Sequence, residues 1–302
     1  MRKTLFLGFL LVGGIIFAQQ TCAQVSIGIS PLVFELTGNP GDVIENQVKI
    51  YNPSDNPIGI KMTTEDIAPS GEEGHVIVEA AETETYSLAS WVAVDPGEFT
   101  LNPKEEKWVK FTITIPANAE PGGHYGTVIA GPHIVSGLEM TGAAISIRVG
   151  TLVLLTVPGV AQEILAVKDF SAPRYSEYGP VTFDILFENS GTVHVKPTGL
   201  ITVANWFGKK VDVIPFPERN VLPGGLRRIE VIWNQKWLWG GKYTATITGN
   251  YGIGNSQIVP VVITFWAFPW KFGLVIFLVI ILLILARKRL FAAFRILLRG
   301  ER

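Results

Sequence analysis

Cysteine is almost absent from the chain, which has one in 302 residues. No intrachain disulfide can form, so an exported domain has to be held by core packing, for which the length is sufficient. Cys22 lies at the end of an N-terminal apolar segment. Cleavage after Ala23 would remove it, and lipidation of its thiol is the alternative.

Catalytic and metal-binding motifs are missing as well. The chain has no H-E-x-x-H, G-x-S-x-G, P-loop, G-x-G-x-x-G or D-x-D-x-D-G sequence. Its histidines, His75, His124, His133 and His194, show no zinc-binding spacing. We therefore predict no enzymatic activity, no cofactor and no metal site, with an exported hydrolase of unfamiliar site as the alternative.

Charge is absent from a long stretch near the C-terminus. Phe272 to Ala286 is uninterruptedly apolar, and Pro269 to Ala286 would span roughly 27 Å as a helix, close to the hydrocarbon thickness of a bilayer. Aromatic and basic residues flank it, as they do at membrane interfaces. We predict a transmembrane helix over residues 267–287, with these membrane anchors: Trp266, Trp270, Lys271, Arg287, Lys288 and Arg289.

The N-terminus fits an exported protein. Arg2 and Lys3 precede the apolar segment Leu5 to Phe17, and Thr21-Cys22-Ala23 offers a cleavage site. Residues 1–23 are predicted to be a signal peptide. Because basic residues mark the cytoplasmic side of a span, we expect a single-pass type I protein of the plasma membrane, with a basic cytoplasmic tail at 288–302.

Charge differs sharply between regions. Residues 24–160 hold 6 basic and 17 acidic side chains, a net charge of −11, whereas residues 161–270 have a net charge of +2 and the tail from Arg287 has +5. An acidic outer domain argues against nucleic acid as a partner and against docking of that domain on anionic lipid.

The region outside the membrane is predicted to be β structure. Apolar and polar residues alternate over Val109–Ile115, Val181–Phe187 and Tyr243–Ile247, which indicates strands with one buried face. Gly and Pro punctuate the chain at short intervals, as turns require. The fold class is therefore all-β, with two tandem immunoglobulin-like antiparallel sandwiches at 24–160 and 161–266, followed by the C-terminal helix.

The two halves appear in the sequence as a repeat, with an insertion in the first half over Asp66 to Ser90. Three turn segments recur in the same order. They pair Asn52-Pro53 with Asn189-Ser190, Leu101-Asn102-Pro103-Lys104 with Leu222-Pro223-Gly224-Gly225, and Gly123-His124-Tyr125 with Gly241-Lys242-Tyr243.

Aromatic clusters are the best sequence indication of a binding site. Trp237 and Trp239 lie in one short segment, and Trp206 occupies a predicted hairpin tip. Exposed rings can stack on sugars or anchor a protein partner. The alternative is that they pack the second sandwich or rest against lipid headgroups. The candidate ligand contacts are Trp206, Trp237, Trp239, His124 and Tyr125.

The first sandwich resembles the peptidoglycan-binding domain of the WxL-interacting protein family of bacterial surface proteins. The matching segments are Ile29-Ser30-Pro31, Pro40-Gly41, Asn52-Pro53-Ser54-Asp55, Gly71, Leu101-Asn102-Pro103, Ile115-Pro116, Gly122-Gly123 and Gly126-Thr127-Val128-Ile129. The order of signal peptide, two sandwiches, helix and basic tail also matches. The resemblance implies peptidoglycan and WxL surface proteins as partners, and no catalytic residues.

Together these observations predict a non-enzymatic surface protein that is anchored in the lipid bilayer and binds a cell-wall polymer or a partner surface protein. We expect the contacts in the segments Asp66 to Ser90 and Gly122 to Ser136, because loops carry function on such scaffolds. The alternative is an accessory subunit that uses Leu274 to Leu285 and the basic tail to hold a membrane complex, with the sandwiches as a cover. The oligomeric state stays open.

Overall fold

The computed structural model describes residues 26–78, 86–133 and 147–299, with side chains as far as Arg287. The predicted signal peptide, Cys22 and parts of the two predicted contact segments lie outside the described residues.

The first sandwich consists of two facing sheets. One has the strand order β1-β3-β8-β6, and the other has the order β2-β10-β9-β4-β5, with β7 also paired to β4. The strands are β1 (Gly28–Ser30), β2 (Val33–Thr37), β3 (Val43–Tyr51), β4 (Ile58–Ser70), β5 (His75–Val78), β6 (Val92–Asp95), β7 (Glu98–Leu101), β8 (Glu106–Thr114), β9 (Gly122–Pro132) and β10 (Val149–Val157).

The second sandwich has sheets of order β11-β13-β16 and β12-β19-β17-β14-β15, with β18 on β17. Its strands are β11 (Leu165–Ser171), β12 (Tyr175–Ser176), β13 (Val181–Asn189), β14 (Thr198–Ala204), β15 (Lys210–Pro215), β16 (Leu226–Trp233), β17 (Gly241–Tyr251), β18 (Ser256–Gln257) and β19 (Val261–Ala267). A single helix, α1 (Trp270–Arg299), follows.

Alternating strands build a separate core in each sandwich. Val109 and Phe111 of β8 are fully buried, while Lys110 between them is exposed. In the second sandwich, Trp233 stacks with Phe183 and meets the edge of Phe265. The predicted all-β fold of two antiparallel sandwiches and one helix is confirmed.

Both sandwiches begin with the same change of sheet. In the first, β1 pairs antiparallel with β3, and β2 then pairs parallel with β10. In the second, β11 pairs antiparallel with β13, and β12 then pairs parallel with β19. This shared switch is what the predicted repeat requires.

A buried asparagine lies at the end of β3 in the first sandwich and of β13 in the second, and it fixes the alignment of the repeat. The backbone N–H of Asn52 donates to Glu105 O, and the backbone N–H of Asn189 donates to Gly225 O. The Asn52 amide donates to Leu101 O, and the Asn189 amide donates to Val221 O. The structure therefore pairs Leu101 with Val221, one residue away from the predicted pairing with Leu222, because hydrogen bonding rather than Pro-Gly similarity sets the loop.

Strand directions place the helix and the first sandwich at opposite ends of the second sandwich. β19 runs toward α1, and β17 runs antiparallel to β19, so β17 begins at the helix end. The loops at 177–180, 205–209 and 234–240 therefore lie beside the helix. Residues 190–197 and 216–225 lie at the other end, which faces the first sandwich. The first sandwich is consequently the module farthest from the helix.

Candidate functional site

The helix α1 has the length and composition of a membrane span. Its first 18 residues, Trp270 to Arg287, have a mean hydropathy of 2.4, and none of this window is covered by the rest of the protein. The helix begins at Trp270, three residues later than predicted, because Pro269 precedes it and the Pro269 carbonyl accepts the Gly273 N–H. It continues without a break to Arg299, so the predicted tail is largely helical.

Three of the predicted anchors, Trp266, Trp270 and Lys271, surround the start of this helix. Trp266 and Trp270 are each half exposed. Lys271 Nζ lies 3.0 Å from a Glu177 carboxylate oxygen and donates to Tyr178 Oη at 3.2 Å. Arg287 ends the apolar window, and Lys288 and Arg289 continue the helix after it. The loop before β13 thus holds the first cation of the helix.

Three predicted contact residues come together at the helix end of the second sandwich. Trp206 and Trp239 line one open hollow of about 370 Å³, together with Trp237. Their exposed fractions are 66% for Trp206, 72% for Trp237 and 84% for Trp239. Leu238, between the last two, is buried and pins their loop to the core. The sequence separates Trp206 from the others by thirty residues, and the pairing of β14 with β17 removes that separation.

His124 is not on a surface, which corrects the expectation of a ligand contact. It is 3% exposed, it lies with its ring centroid 4.3 Å from that of Trp91, and its Nε2 lies 3.0 Å from Glu120 O. Tyr243 holds the same position in the second sandwich, one residue away from its predicted pairing with Tyr125, since its Oη donates to the carbonyl four residues upstream, Trp239 O, at 3.1 Å. The pair forms a corner at the start of each buried strand, of the kind that tyrosine builds in immunoglobulin-like domains.

Tyr125 is also buried, at 3% exposed, and it joins the two sandwiches. Its hydroxyl accepts the backbone N–H of His194 at 2.7 Å, and the His194 Nδ1 lies 3.3 Å away. Burial raises the pKa of the Tyr125 phenol and lowers that of the His194 imidazole. The expectation of ligand contact is corrected here too, because this ring contacts the neighbouring sandwich.

Ion pairs and an apolar patch complete the junction between the sandwiches. Glu35 of β2 accepts from Lys196 Nζ and from Asn220 Nδ2, and the Lys196 bond holds the Glu35 pKa below its ordinary value. Arg228 bonds the Glu72 carboxylate. Leu222 packs against a small cluster of the first sandwich built on Ile67, Tyr125 and Leu154.

The described part of the predicted contact segment Asp66 to Ser90 contacts the second sandwich at this junction. The hairpin between β4 and β5 carries Glu72 and Gly74, which bond Arg228 and Arg227 of β16. Asp66 accepts the backbone N–H groups of Leu88 and Ala89 and so closes the base of the segment. These residues hold the first sandwich on the second.

Trp108 is an exposed aromatic residue that our sequence analysis missed. It is 60% exposed on the outer face of β8, opposite Lys49 of β3. The sequence does indicate this exposure. Val109 and Phe111 mark the buried face of the strand, so Trp108 lies on the opposite, exposed face. The repeat alignment, with Pro103 on Pro223, places Trp108 at the position of Arg228, the residue that bonds Glu72 across the junction.

Within residues 26–78, 86–133 and 147–299, no group of three His, Cys, Asp or Glu side chains is placed to hold a metal ion. The acidic side chains of the first sandwich instead form surface pairs. Lys49 pairs with Glu106 at 3.1 Å, and Lys110 pairs with Glu45 at 2.8 Å.

No protein-family model and no curated protein sequence matches the chain. Its shape is similar to those of pilus chaperones. The class 5 fimbriae chaperone CfaA is 16% identical, with a TM-score of 0.40 over 80% of this chain and 99% of that one. The E. coli chaperone DraB is 12% identical (TM-score 0.38, 80% and 96% covered), and the SafA pilin–SafB chaperone complex of Salmonella enterica gives 12% (0.37, 80% and 96%). These TM-scores are low, and the two sandwiches are defined by the strands of this chain itself.

Proposed function

We propose that this protein is a membrane-anchored, non-enzymatic surface protein whose first sandwich binds a partner surface protein at its far end. The observation that carries the proposal is the equivalence of Trp108 with Arg228. The second sandwich uses that strand position to hold a neighbouring module, and the first sandwich presents the same position, with a tryptophan, at the end farthest from the helix.

The order of the modules supports this role. The helix lies at one end of the second sandwich, and the first sandwich is docked at the other through Glu35, Tyr125 and Glu72. An extended, braced arrangement of this kind carries the far end away from a bilayer. Trp108 lies two residues into β8, next to the loops at 52–57 and 102–105 that form this end.

The surroundings of Trp108 suit a protein contact. The Lys49–Glu106 and Lys110–Glu45 pairs flank it on the same face of the sheet. A large ring framed by charged pairs is the usual composition of an energetic centre in an interface. The net charge of −11 over residues 24–160 favours a partner with a basic surface.

The resemblance to the WxL-interacting family offers two partner classes, a WxL surface protein or peptidoglycan. A tryptophan can stack on a sugar as well as fill a protein pocket. We favour the protein, because the position equivalent to Trp108 contacts protein in the second sandwich. A wall polymer is the other arm of the test.

The test uses the full chain with a C-terminal tag in cells of its source, cross-linked before solubilisation. Trp108→Ser is compared with Ile232→Ser, which alters an equally outward residue of the second sandwich that is 54% exposed. Loss of an interface centre of about 2 kcal/mol would weaken capture about 30-fold. We expect this loss for Trp108→Ser alone. Equal capture of protein by both variants would refute the proposal, and retention of wall material in place of protein would assign the site to the polymer.

A helix exchange separates this function from that of an accessory subunit. Replacing Phe272 to Ala286 with an unrelated apolar span keeps the anchor and changes every side chain of the apolar span that could contact a membrane partner. We expect unchanged capture at Trp108. Loss of capture on exchange, with the protein still in the membrane, would favour the subunit.

A further inference from the structure

The helix end of the second sandwich carries an aromatic collar, which we define as Trp206, Phe207, Trp237 and Trp239. All four rings are at least 66% exposed. They lie on two loops, 205–209 and 234–240, that strand direction places beside the helix. Three other aromatic residues of this sandwich, Trp233, Tyr243 and Phe265, pack inside the core. The collar is therefore an apolar surface in addition to a complete core.

Close contacts connect the collar to the first turn of the helix. The Trp206 ring lies against Gly241, where a Cβ would be 3.2 Å from Trp206 Cδ1. A Cβ on the adjacent Gly240 would be 3.6 Å from Pro269 Cδ. The surface of the collar is thus continuous with Pro269 and Trp270, where the apolar span begins.

Charge at this end is mostly positive. Lys209, Lys210, Lys236 and Lys242 are exposed on or next to the same loops, and none of them forms an ion pair with a residue that the structure describes. Of the nearby carboxylates, Glu177 is paired with Lys271, and Asp212 accepts from the Trp233 indole N–H. Exposed rings beside free ammonium groups are suited to the interface of a phospholipid bilayer, where rings lie at headgroup depth and lysines reach phosphates.

We infer that the aromatic collar docks the second sandwich onto the phospholipid bilayer that α1 enters. The helix supplies the tether, the four rings enter the headgroup layer, and the four lysines contact lipid phosphates. This second attachment fixes the sandwich against the membrane. The inference rests on the membrane span of the proposed function but is independent of Trp108 and of any partner.

The experiment uses the full chain reconstituted in vesicles of phosphatidylcholine with one-fifth phosphatidylglycerol, with and without lipids brominated near the headgroup. Tryptophan quenching by the brominated lipid is the readout. The test variant is Trp206→Ser/Trp237→Ser/Trp239→Ser. The matched control is Trp108→Ser, which removes an exposed tryptophan from the far sandwich.

The test variant should lose about three fifths of the lipid-dependent quenching, because the collar holds three of the five exposed tryptophans at this end, the others being Trp266 and Trp270. Trp108→Ser should lose none. Replacing the same three residues by Phe should keep the sandwich on the lipid, seen as unchanged quenching of Trp266 and Trp270. Since all three side chains are exposed, the unfolding midpoint should stay close to that of the wild type.

Unchanged lipid-dependent quenching in the test variant would overturn the inference. So would protection of the collar from acrylamide by an added oligosaccharide when lipid gives none, because the hollow would then be a sugar site. Failure of the wild type to float with vesicles would instead count against the membrane span, and therefore against the proposed function itself.

Discussion

The first and second sandwiches differ in how they cover the start of their buried strands, β9 and β17. In the second, Tyr243 supplies both the corner hydrogen bond and a ring that stacks on Phe265. In the first, the shorter His124 keeps the hydrogen bond, and Trp91, from the segment after the insertion, supplies the ring that packs against it at a tilt of 43°. One residue does in the second module what two do in the first, so the first corner depends on the insertion that also docks the modules together.

Each sandwich contains a buried asparagine whose side chain bonds backbone carbonyls. We expect the removal of either one to lower the free energy of unfolding more than any other substitution proposed below. Asn52→Ala would leave the carbonyls of Leu101, Asn102 and Asn56 without their donor, and Asn189→Ala would do the same to two carbonyls. We expect each to lower the free energy of unfolding by about 3 kcal/mol, as buried unsatisfied polar groups do. Urea unfolding, with the exposed Asn234→Ala as control, measures this. A loss below 1 kcal/mol for either would mean that the shared loop does not stabilise its sandwich.

Exchanging the corner residues tests whether the two corners are interchangeable. Tyr243→His should cost about 2 kcal/mol, because it removes ring volume from the cluster with Trp233 and Phe265. Tyr243→Phe, which loses only the bond to Trp239 O, should cost about 1 kcal/mol. His124→Tyr should also destabilise the protein, by overpacking against Trp91. Thermal unfolding measures these changes in stability. If Tyr243→His left the stability unchanged, it would contradict the assignment of both the corner hydrogen bond and the stacked ring to Tyr243.

Acid should weaken the contact between the sandwiches before it weakens either core. Burial lowers the His194 pKa from its ordinary 6.5, so the unfolded chain binds that proton more tightly and stability falls as pH drops below 6.5. Glu35 has a lowered pKa, mainly through its bond from Lys196, so its contribution is present above pH 4.5 and is lost as pH falls further. The effect should be smaller than that of Tyr243→His, since neither residue is fully buried.

The measurement is energy transfer between dyes placed on the two sandwiches, followed from pH 7.5 to pH 4. His194→Gln should abolish the change that begins as pH falls below 6.5 and leave the change that begins below pH 4.5. A transition of the same size in His194→Gln would show that another group controls the junction.

Much of the fold can be predicted from local sequence patterns. Alternation in β8 and β13 and the turn residues around Asn52 and Asn189 identify strands and their order, because one face must be buried and one solvated. The register of the repeat cannot be predicted in this way, since Leu101 and Val221 are matched only by the hydrogen bonds that their carbonyls accept from the side-chain amides of Asn52 and Asn189 in the folded protein.

The candidate site was only partly predictable for the same reason. Trp206, Trp237 and Trp239 stand out by composition, but their assembly depends on the pairing of β14 with β17. His124 and Tyr125 look like exposed loop residues because they follow Gly122-Gly123. Both are buried, one under Trp91 and one against His194, and these contacts span 33 and 69 residues of sequence.

The smallest expected effect comes from one loop position at which the modules differ in residue but not in conformation. Lys104 has φ = 62° and the matching Gly224 has φ = 68°, a region that costs an L-residue about 1 kcal/mol. Gly224→Lys should therefore destabilise the second sandwich by about 1 kcal/mol, although a Cβ there meets no atom within 4 Å. Lys104→Gly should stabilise the first by only about 0.5 kcal/mol, since it also removes the exposed pair with Asp55. Denaturant midpoints of both variants decide the matter. Opposite signs mean that the loops share one strained geometry, whereas a stabilising Gly224→Lys would mean that side-chain contacts of Lys104, and not its backbone, set the difference between the two loops.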